Sequence, residues 1–182
     1  MKQKKLLMVA GPVEIEEDIS LIGSYPQEYM RTEEYSKKWE RIFENLQYIF
    51  QTKFPVVCYA SSGTGAMEAA VTNFLSFGDT VAFINAGSFG KRWGNIAQKH
   101  GINSIEIPTK FGDITEIEDV KNILDKNLKI KVLFATLNET SCGSLQNIEK
   151  LGNLLKHYPE VLFVVDCISG LCSDKFLMDK WN

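Results

Sequence analysis

The strongest constraint on this chain is an alternation that begins near Phe54 and runs to Asp166: short β-branched or aromatic runs, then turn residues, then longer segments with helical spacing. Such repetition is the mark of βα units. The strand candidates are Val56 to Ala60, Thr80 to Asn85, Ser104 to Ile107, Lys131 to Thr136 and Val161 to Asp166. Helix candidates between them are Gly65 to Leu75, Phe89 to Lys99, Ile117 to Lys126 and Ile148 to His157. The nearly unbroken apolar run Val161-Leu162-Phe163-Val164-Val165 suits a strand covered on both faces, which predicts an α/β fold with a mainly parallel, doubly wound sheet. Local punctuation agrees: Gly78-Asp79 precedes a strand, Lys99-His100-Gly101 reads as a basic last turn with a glycine just past the helix end, and Pro159 follows another helix.

The first fifty residues follow a different pattern. Gly11-Pro12 breaks an initial short strand, and Glu33 to Phe50 has helical spacing with Trp39, Ile42, Phe43, Leu46 and Ile49 on one stripe. We therefore expect an N-terminal arm and long helix over residues 1–53, followed by a sheet domain over 54–182, with no Gly/Ser linker or internal repeat between them. At 182 residues and 45% hydrophobic the chain can bury a substantial core. A net charge of -3 gives no broad basic surface, and Lys2, Lys4 and Lys5 are too few for a nucleic-acid arm. The apolar run Leu6 to Ala10 is too short for a membrane span or a signal peptide, so a cytoplasmic location is the expectation. Cys58, Cys142, Cys167 and Cys172 form no CxxC pair and are expected to be small reduced core residues.

In open α/β sheets ligands bind beyond the carboxyl ends of the strands, so the residues just after each strand candidate are where chemistry belongs. After Val56 to Ala60 comes Ser61-Ser62-Gly63-Thr64-Gly65, leading into a helix. Glycines let the backbone approach an anion, hydroxyls add donors, and the helix N-terminus presents free N–H groups, so this is a phosphate cradle or else a simple Ser/Thr helix cap. It has neither the Gly-Lys-Ser/Thr of a Walker loop nor the spacing of a dinucleotide loop. After Val161 to Val165 comes Asp166, a carboxylate on a strand whose preceding residues are all apolar. Buried charge is costly unless paired, so it either caps a turn or faces something cationic; a protonated pyridine nitrogen would serve. After Thr80 to Asn85 comes Ala86-Gly87-Ser88-Phe89-Gly90, which sets an aromatic ring at the sheet's mouth, as core or as a stacking platform. After Lys131 to Thr136 comes the polar loop Asn138-Glu139-Thr140-Ser141-Cys142-Gly143, a turn that can bring a hydroxyl to a ligand oxygen.

His100 and His157 lie near helix C-termini, where a histidine meets the helix dipole, and neither is assigned to catalysis. No HExxH, GxSxG or metal-ligand cluster is present, so the sequence supports neither a metalloprotease nor a serine hydrolase and predicts no metal.

Taken together, these stretches resemble, in order and spacing, class V aminotransferases with the type I pyridoxal-phosphate (PLP) fold, and within them the alanine–glyoxylate and serine–pyruvate aminotransferase group. The matching stretches are Val9-Ala10-Gly11-Pro12, Phe50-Gln51-Thr52, the segment from Ser61 to Ala70, the segment from Asn85 to Gly90, the loop from Asn138 to Gly143, and Val164-Val165-Asp166. The resemblance implies that Ser62, Gly63 and Thr64 hold the phosphate of pyridoxal 5'-phosphate and that Phe89 stacks on its ring. It further implies that Thr140 or Ser141 touches the phenolic-oxygen side, that Ile168 is among the cofactor contacts, and that Asp166, the catalytic residue this chain carries, pairs with the ring nitrogen. Such a pair keeps the ring protonated, which is what makes PLP an electron sink. Phe89 departs from the tryptophan or tyrosine common in the group, and from the histidine of cysteine desulfurases, which favours transamination; Asn147 stands where many relatives have proline.

The larger departure lies at the other end. The family's cofactor-anchoring lysine follows a further strand, and its substrate-carboxylate arginine lies in a small C-terminal domain; neither has a counterpart here, and Lys175 and Lys180 read as surface lysines. In the family's sheet two further strands lie between Val56 to Ala60 and the rest, so that strand would face a gap of roughly 10 to 15 Å at ordinary inter-strand spacing. Open edges invite pairing with another chain. The resemblance therefore implies a homo- or hetero-oligomer in which a complementing chain supplies the strands and the lysine, completing a transaminase that moves an amino group from a small amino acid to a 2-oxo acid such as glyoxylate or pyruvate. The alternative is a non-catalytic relic or regulatory subunit.

Overall fold

The computed structural model of the chain describes residues 6–182; Lys2, Lys4 and Lys5 lie outside that range. The chain divides into two compact units, one up to Leu46 and one from Gln47 to Asn182.

In the first unit, α1 (Glu17–Ile22) is a short helix with no buried residue. The longer α2 (Glu33–Phe50), which crosses the unit boundary, begins where Thr32 Oγ1 accepts the Tyr35 N–H at 3.2 Å, with Glu33 and Glu34 set against the positive end of the helix. Tyr35, Trp39 and Phe43 follow one another along it, ring centroids 6.4 and 5.4 Å apart. The expected apolar stripe exists but is not buried: Ile42, Phe43 and Ile49 are all exposed. Leu6 to Ala10 forms no strand, contrary to the expectation from sequence, because among the described residues no strand pairs with it.

The second unit is built on a four-stranded parallel sheet in the order β2-β1-β3-β6, with β1 (Thr80–Asn85), β2 (Asn103–Pro108), β3 (Ile130–Thr136) and β6 (Leu162–Asp166). Strand alternation sorts the side chains into two cores. On one face Val81, Phe83, Val132 and Phe134 pack under α3 (Gly63–Phe74) and α4 (Ser88–Lys99). On the other, Ala82, Ile84, Leu133 and Ala135 pack under α5 (Ile117–Lys126) and α6 (Ile148–Leu155), joined by Trp181 of α7 (Met178–Trp181). Leu124, Leu133, Leu151 and Phe134 are fully buried, and a core side chain of that size stabilises by about 1.5–3 kcal/mol relative to exposure. Gly101, at φ 71°, turns the chain out of α4 in the left-handed conformation that favours glycine.

Val56 to Ala60 is not a strand. Among the described residues no strand lies beside it to complete a ladder, and its apolar side chains stay open, with Val57 77% and Tyr59 53% exposed, and Cys58 is exposed where a core position was expected. Cys172 is exposed as well, while Cys142 and Cys167 are half-buried. The outer edge of β6, which pairs only with β3, is likewise open. Among the described residues no helix is long and apolar enough to cross a membrane.

Candidate functional site

Parallel strands carry their C-terminal ends to one rim, and three of the four nominated segments reach that rim on β1, β3 and β6. The fourth, Ser62 to Thr64, arrives without a strand and is tied in by side chains. Ser62 is the N-cap of α3, its Oγ accepting the Gly65 N–H at 3.3 Å, which leaves the first-turn N–H groups of Gly63 and Thr64 without an acceptor inside the helix. Thr64 Oγ1 accepts a 2.6 Å hydrogen bond from Arg92 Nη1, and the same guanidinium lies 4.5 Å above the Phe89 ring. Arg92 thus links the first turn of α3 to the first turn of α4.

Asp166 ends β6 opposite Thr136. Period-two alternation puts its side chain with Val164, on the α3 and α4 side of the sheet. Gly63 and Asp166 both line a cavity of about 330 Å3, together with Met67, Trp93, Val164 and Ile168. Ile168 joins the two: its N–H donates to Asp166 Oδ1 at 3.0 Å, and its Cδ1 would lie 2.8 Å from a Cβ at Gly63. Burial pushes the Asp166 carboxyl above its ordinary value, the Ile168 N–H works against that, Glu139's negative charge adds to it and the Arg92 guanidinium opposes it. Beside it, burial and then the Asp166 charge push the Cys167 thiol up to about 12. Thr136 Oγ1 and Trp93 Nε1 are buried without hydrogen-bond partners, the indole stacked on Phe134 at 4.3 Å.

The polar loop is a small hairpin, β4 (Asn138–Glu139) against β5 (Ser144–Leu145). Both nominated hydroxyls donate inward: Thr140 Oγ1 to Ser169 Oγ at 2.7 Å, and Ser141 Oγ to Glu139 Oε1 at 2.7 Å. Glu139 itself is fully buried and also accepts the backbone N–H groups of Phe89, Gly90 and Ser141. Burial alone would raise its carboxyl; the Ser141 hydroxyl and those N–H groups outweigh it and hold the carboxyl below its ordinary value.

The structure therefore brings Gly63, Asp166 and Ile168 onto one cavity, with Thr64 and Phe89 joined through Arg92, while Thr140 and Ser141 spend their protons on internal partners. Sequence reasoning passed over Arg92 and Glu139. Arg92 carried a signal, standing one helical turn after Phe89 and so on the same face; Glu139 carried none, since its partners on α4 lie about fifty residues away.

A three-layer sheet with a polar rim of this kind recurs in known proteins. The sequence profile of the Aminotransferase class-V family matches residues 23–182, and the chain belongs to that family. The fold is its mainly parallel α/β large domain, incomplete. Among relatives, an uncharacterized aminotransferase of Methanocaldococcus jannaschii is 36% identical over 98% of this chain and 46% of its own length. L-aspartate–glyoxylate aminotransferase of Paracoccus denitrificans is 32% identical over 100% and 47%. The solved structure of alanine–glyoxylate aminotransferase from Nostoc sp. superimposes with a TM-score of 0.91 at 25% identity, covering 100% of this chain and 48% of that one. The chain spans about half the length of the curated relatives it matches.

Proposed function

We propose that this chain is the cofactor-cradling component of a pyridoxal-phosphate aminotransferase that passes an amino group from a small amino acid to a 2-oxo acid such as glyoxylate or pyruvate. The observation that carries this reading is the shared cavity of Gly63 and Asp166 on one side of the sheet. The residues fit the cofactor on physical grounds. The Asp166 carboxylate accepts a single N–H, from Ile168, and among the described residues no cationic side chain hydrogen-bonds it. A protonated ring nitrogen supplies the missing partner, and its charge would draw the burial-raised carboxyl back into its ionised form. Buried beside it, the unpartnered Thr136 hydroxyl leaves a donor and acceptor unused on the same side of the sheet.

When bound, pyridoxal phosphate supplies an electron sink for the carbon losing its proton. The chain's own residues do the rest. Ser62, Gly63 and Thr64 hold the phosphate with first-turn N–H groups and hydroxyls, where the helix dipole favours an anion. Phe89 offers a flat apolar face from the first turn of α4, and Asp166 keeps the ring nitrogen protonated. Thr140 and Ser141 bound the site from the β4–β5 hairpin, and Ile168 closes it beside Gly63.

The anchoring lysine, which also shuttles the proton, is supplied under this reading by a complementing polypeptide segment. Lys175 and Lys180 are exposed and follow no strand. The open edge of β6 suits such a segment, since cavities flank it on both faces: the one of about 330 Å3 and a second of about 160 Å3 lined by Phe50, Phe163, Val165 and Trp181. The test is to co-express the chain with candidate lysine-bearing segments, copurify, add pyridoxal phosphate, and assay amino transfer to glyoxylate and pyruvate. Transfer that disappears in Asp166→Asn supports the reading; a folded complex that binds the cofactor yet transfers no amino group points to a regulatory role and overturns it.

A further inference from the structure

Among the described residues, Glu139 is the only charged side chain that is fully buried, and the reaction outlined above makes no use of it. Isolated in an apolar interior a carboxylate is strongly disfavoured, so its donors tell what it is for. They come from two places. The Phe89 N–H donates at 3.1 Å and the Gly90 N–H at 2.8 Å, both from the first turn of α4; the Ser141 hydroxyl at 2.7 Å and N–H at 3.2 Å come from its own hairpin. Ser141 Oγ in turn accepts the Ser88 N–H at 3.1 Å. The N-cap of α4 is Gly87, which has no side chain to cap with, so the helix start is capped across space by a residue from another strand. That clasp needs close approach: a Cβ at Gly87 would stand 2.5 Å from Ser141 Oγ and 2.6 Å from Glu139 Cγ.

A helix needing only a cap is served by a serine or aspartate at its own N-cap. Glu139 does something a local cap does not, because it locks the turn that carries Phe89 to the hairpin that carries Thr140 and Ser141. We propose that Glu139 is a positioning residue of the candidate site: it clasps the β1–α4 turn to the β4–β5 hairpin and so fixes the Phe89 ring as a stacking platform. This rests on the cofactor reading above, since a platform matters only if a ring lies against it.

Pyridoxamine 5'-phosphate is the probe, because it needs no lysine, and the 182-residue chain is the sample. Binding is followed by equilibrium dialysis, and ring immobilisation by induced circular dichroism in the probe's own absorption band. In Glu139→Gln the amide would set a donor against donors, so exchange of the Phe89 and Gly90 amides is expected to speed up about tenfold while Gly65 on α3 is unaffected. The phosphate cradle stays intact, so affinity should change by less than about threefold while the induced dichroism falls by more than half. Gly87→Ala, which leaves the Glu139 charge in place but spreads the clasp, should lose the same signal and serves if the first variant does not fold. Asp79→Asn is the control for a merely structural role: it breaks the Ser76 and Lys131 contacts before β1, far from the rim, and should lower the melting temperature with the dichroism intact. Unaltered dichroism in Glu139→Gln or Gly87→Ala, with wild type binding the probe normally, overturns the inference alone. A wild-type chain that binds no probe overturns the cofactor reading, and the inference with it.

Discussion

Two carboxylates stand at the same rim of one sheet and have opposite environments. Glu139, after β3, is fully buried, surrounded by donors, and held below its ordinary value. Asp166, which ends β6, is half-buried, accepts one N–H, and is pushed above its ordinary value by burial. Burial is common to both; hydrogen bonding decides the sign. A satisfied carboxylate holds structure together, whereas an unsatisfied one at a strand end is a place for a cation to bind.

The largest effect that separates them is chemical. If the proposed reading holds, Asp166→Asn in a complemented enzyme is expected to lower amino transfer by about two to three orders of magnitude, read from kcat, because the carboxylate proposed to face the ring nitrogen is lost. The same change should make the ligand-free chain more resistant to denaturant at neutral pH, since it removes a poorly paired charge. Equal stability and unchanged activity would erase the contrast.

Next comes the pH dependence of stability, where the two groups have opposite slopes. The folded chain binds the Asp166 proton more tightly than the unfolded chain, so that contribution is complete below the ordinary value of 3.8 and is lost as pH rises through the raised folded value. Glu139 contributes above its ordinary value of 4.5, and that contribution is lost as pH falls through its lowered folded value. Denaturant midpoints measured across the acid range should therefore lose one slope in Asp166→Asn and the opposite one in Glu139→Gln. Two variants with parallel profiles would mean that the environments are alike.

A smaller effect is expected of Arg92, which bridges the sites electrostatically. Arg92→Gln removes the donor to Thr64 and the charge that favours ionised Asp166, so the dissociation constant for pyridoxamine phosphate should rise about tenfold. Smallest is the report from Cys167, whose thiol is pushed to about 12 by burial first and by Asp166 second. Asp166→Asn should lower that value modestly, seen as faster thiol labelling at alkaline pH, while exposed Cys58 and Cys172 react at the same rate in both proteins.

How much of this was legible in the sequence follows from the range of the forces involved. Thr80 to Asn85 and Ile117 to Lys126 could be placed because strand alternation and helical spacing are local. Val56 to Ala60 has the same local pattern and forms no strand, because a strand is completed by its neighbour rather than by its own composition. Asp166 stood out as a charge ending an apolar run. Glu139 did not, since a residue in a polar loop gives no sign that a helix from elsewhere has its N–H groups aimed at it. The hydroxyls of Thr140 and Ser141 were visible as donors, but not the internal acceptors, Ser169 and Glu139, that take their protons.

Because residues 56–60 join no sheet, α3 reaches the rim docked on its neighbours instead of being delivered by a strand. Its first turn is held at the tip by the Arg92 to Thr64 bond and follows a stretch that no strand ladder fixes. On the proposed reading, a chain adding a strand along residues 56–60 would shift the turn that meets the phosphate, so whatever joins this sheet would also set how firmly that anion is gripped.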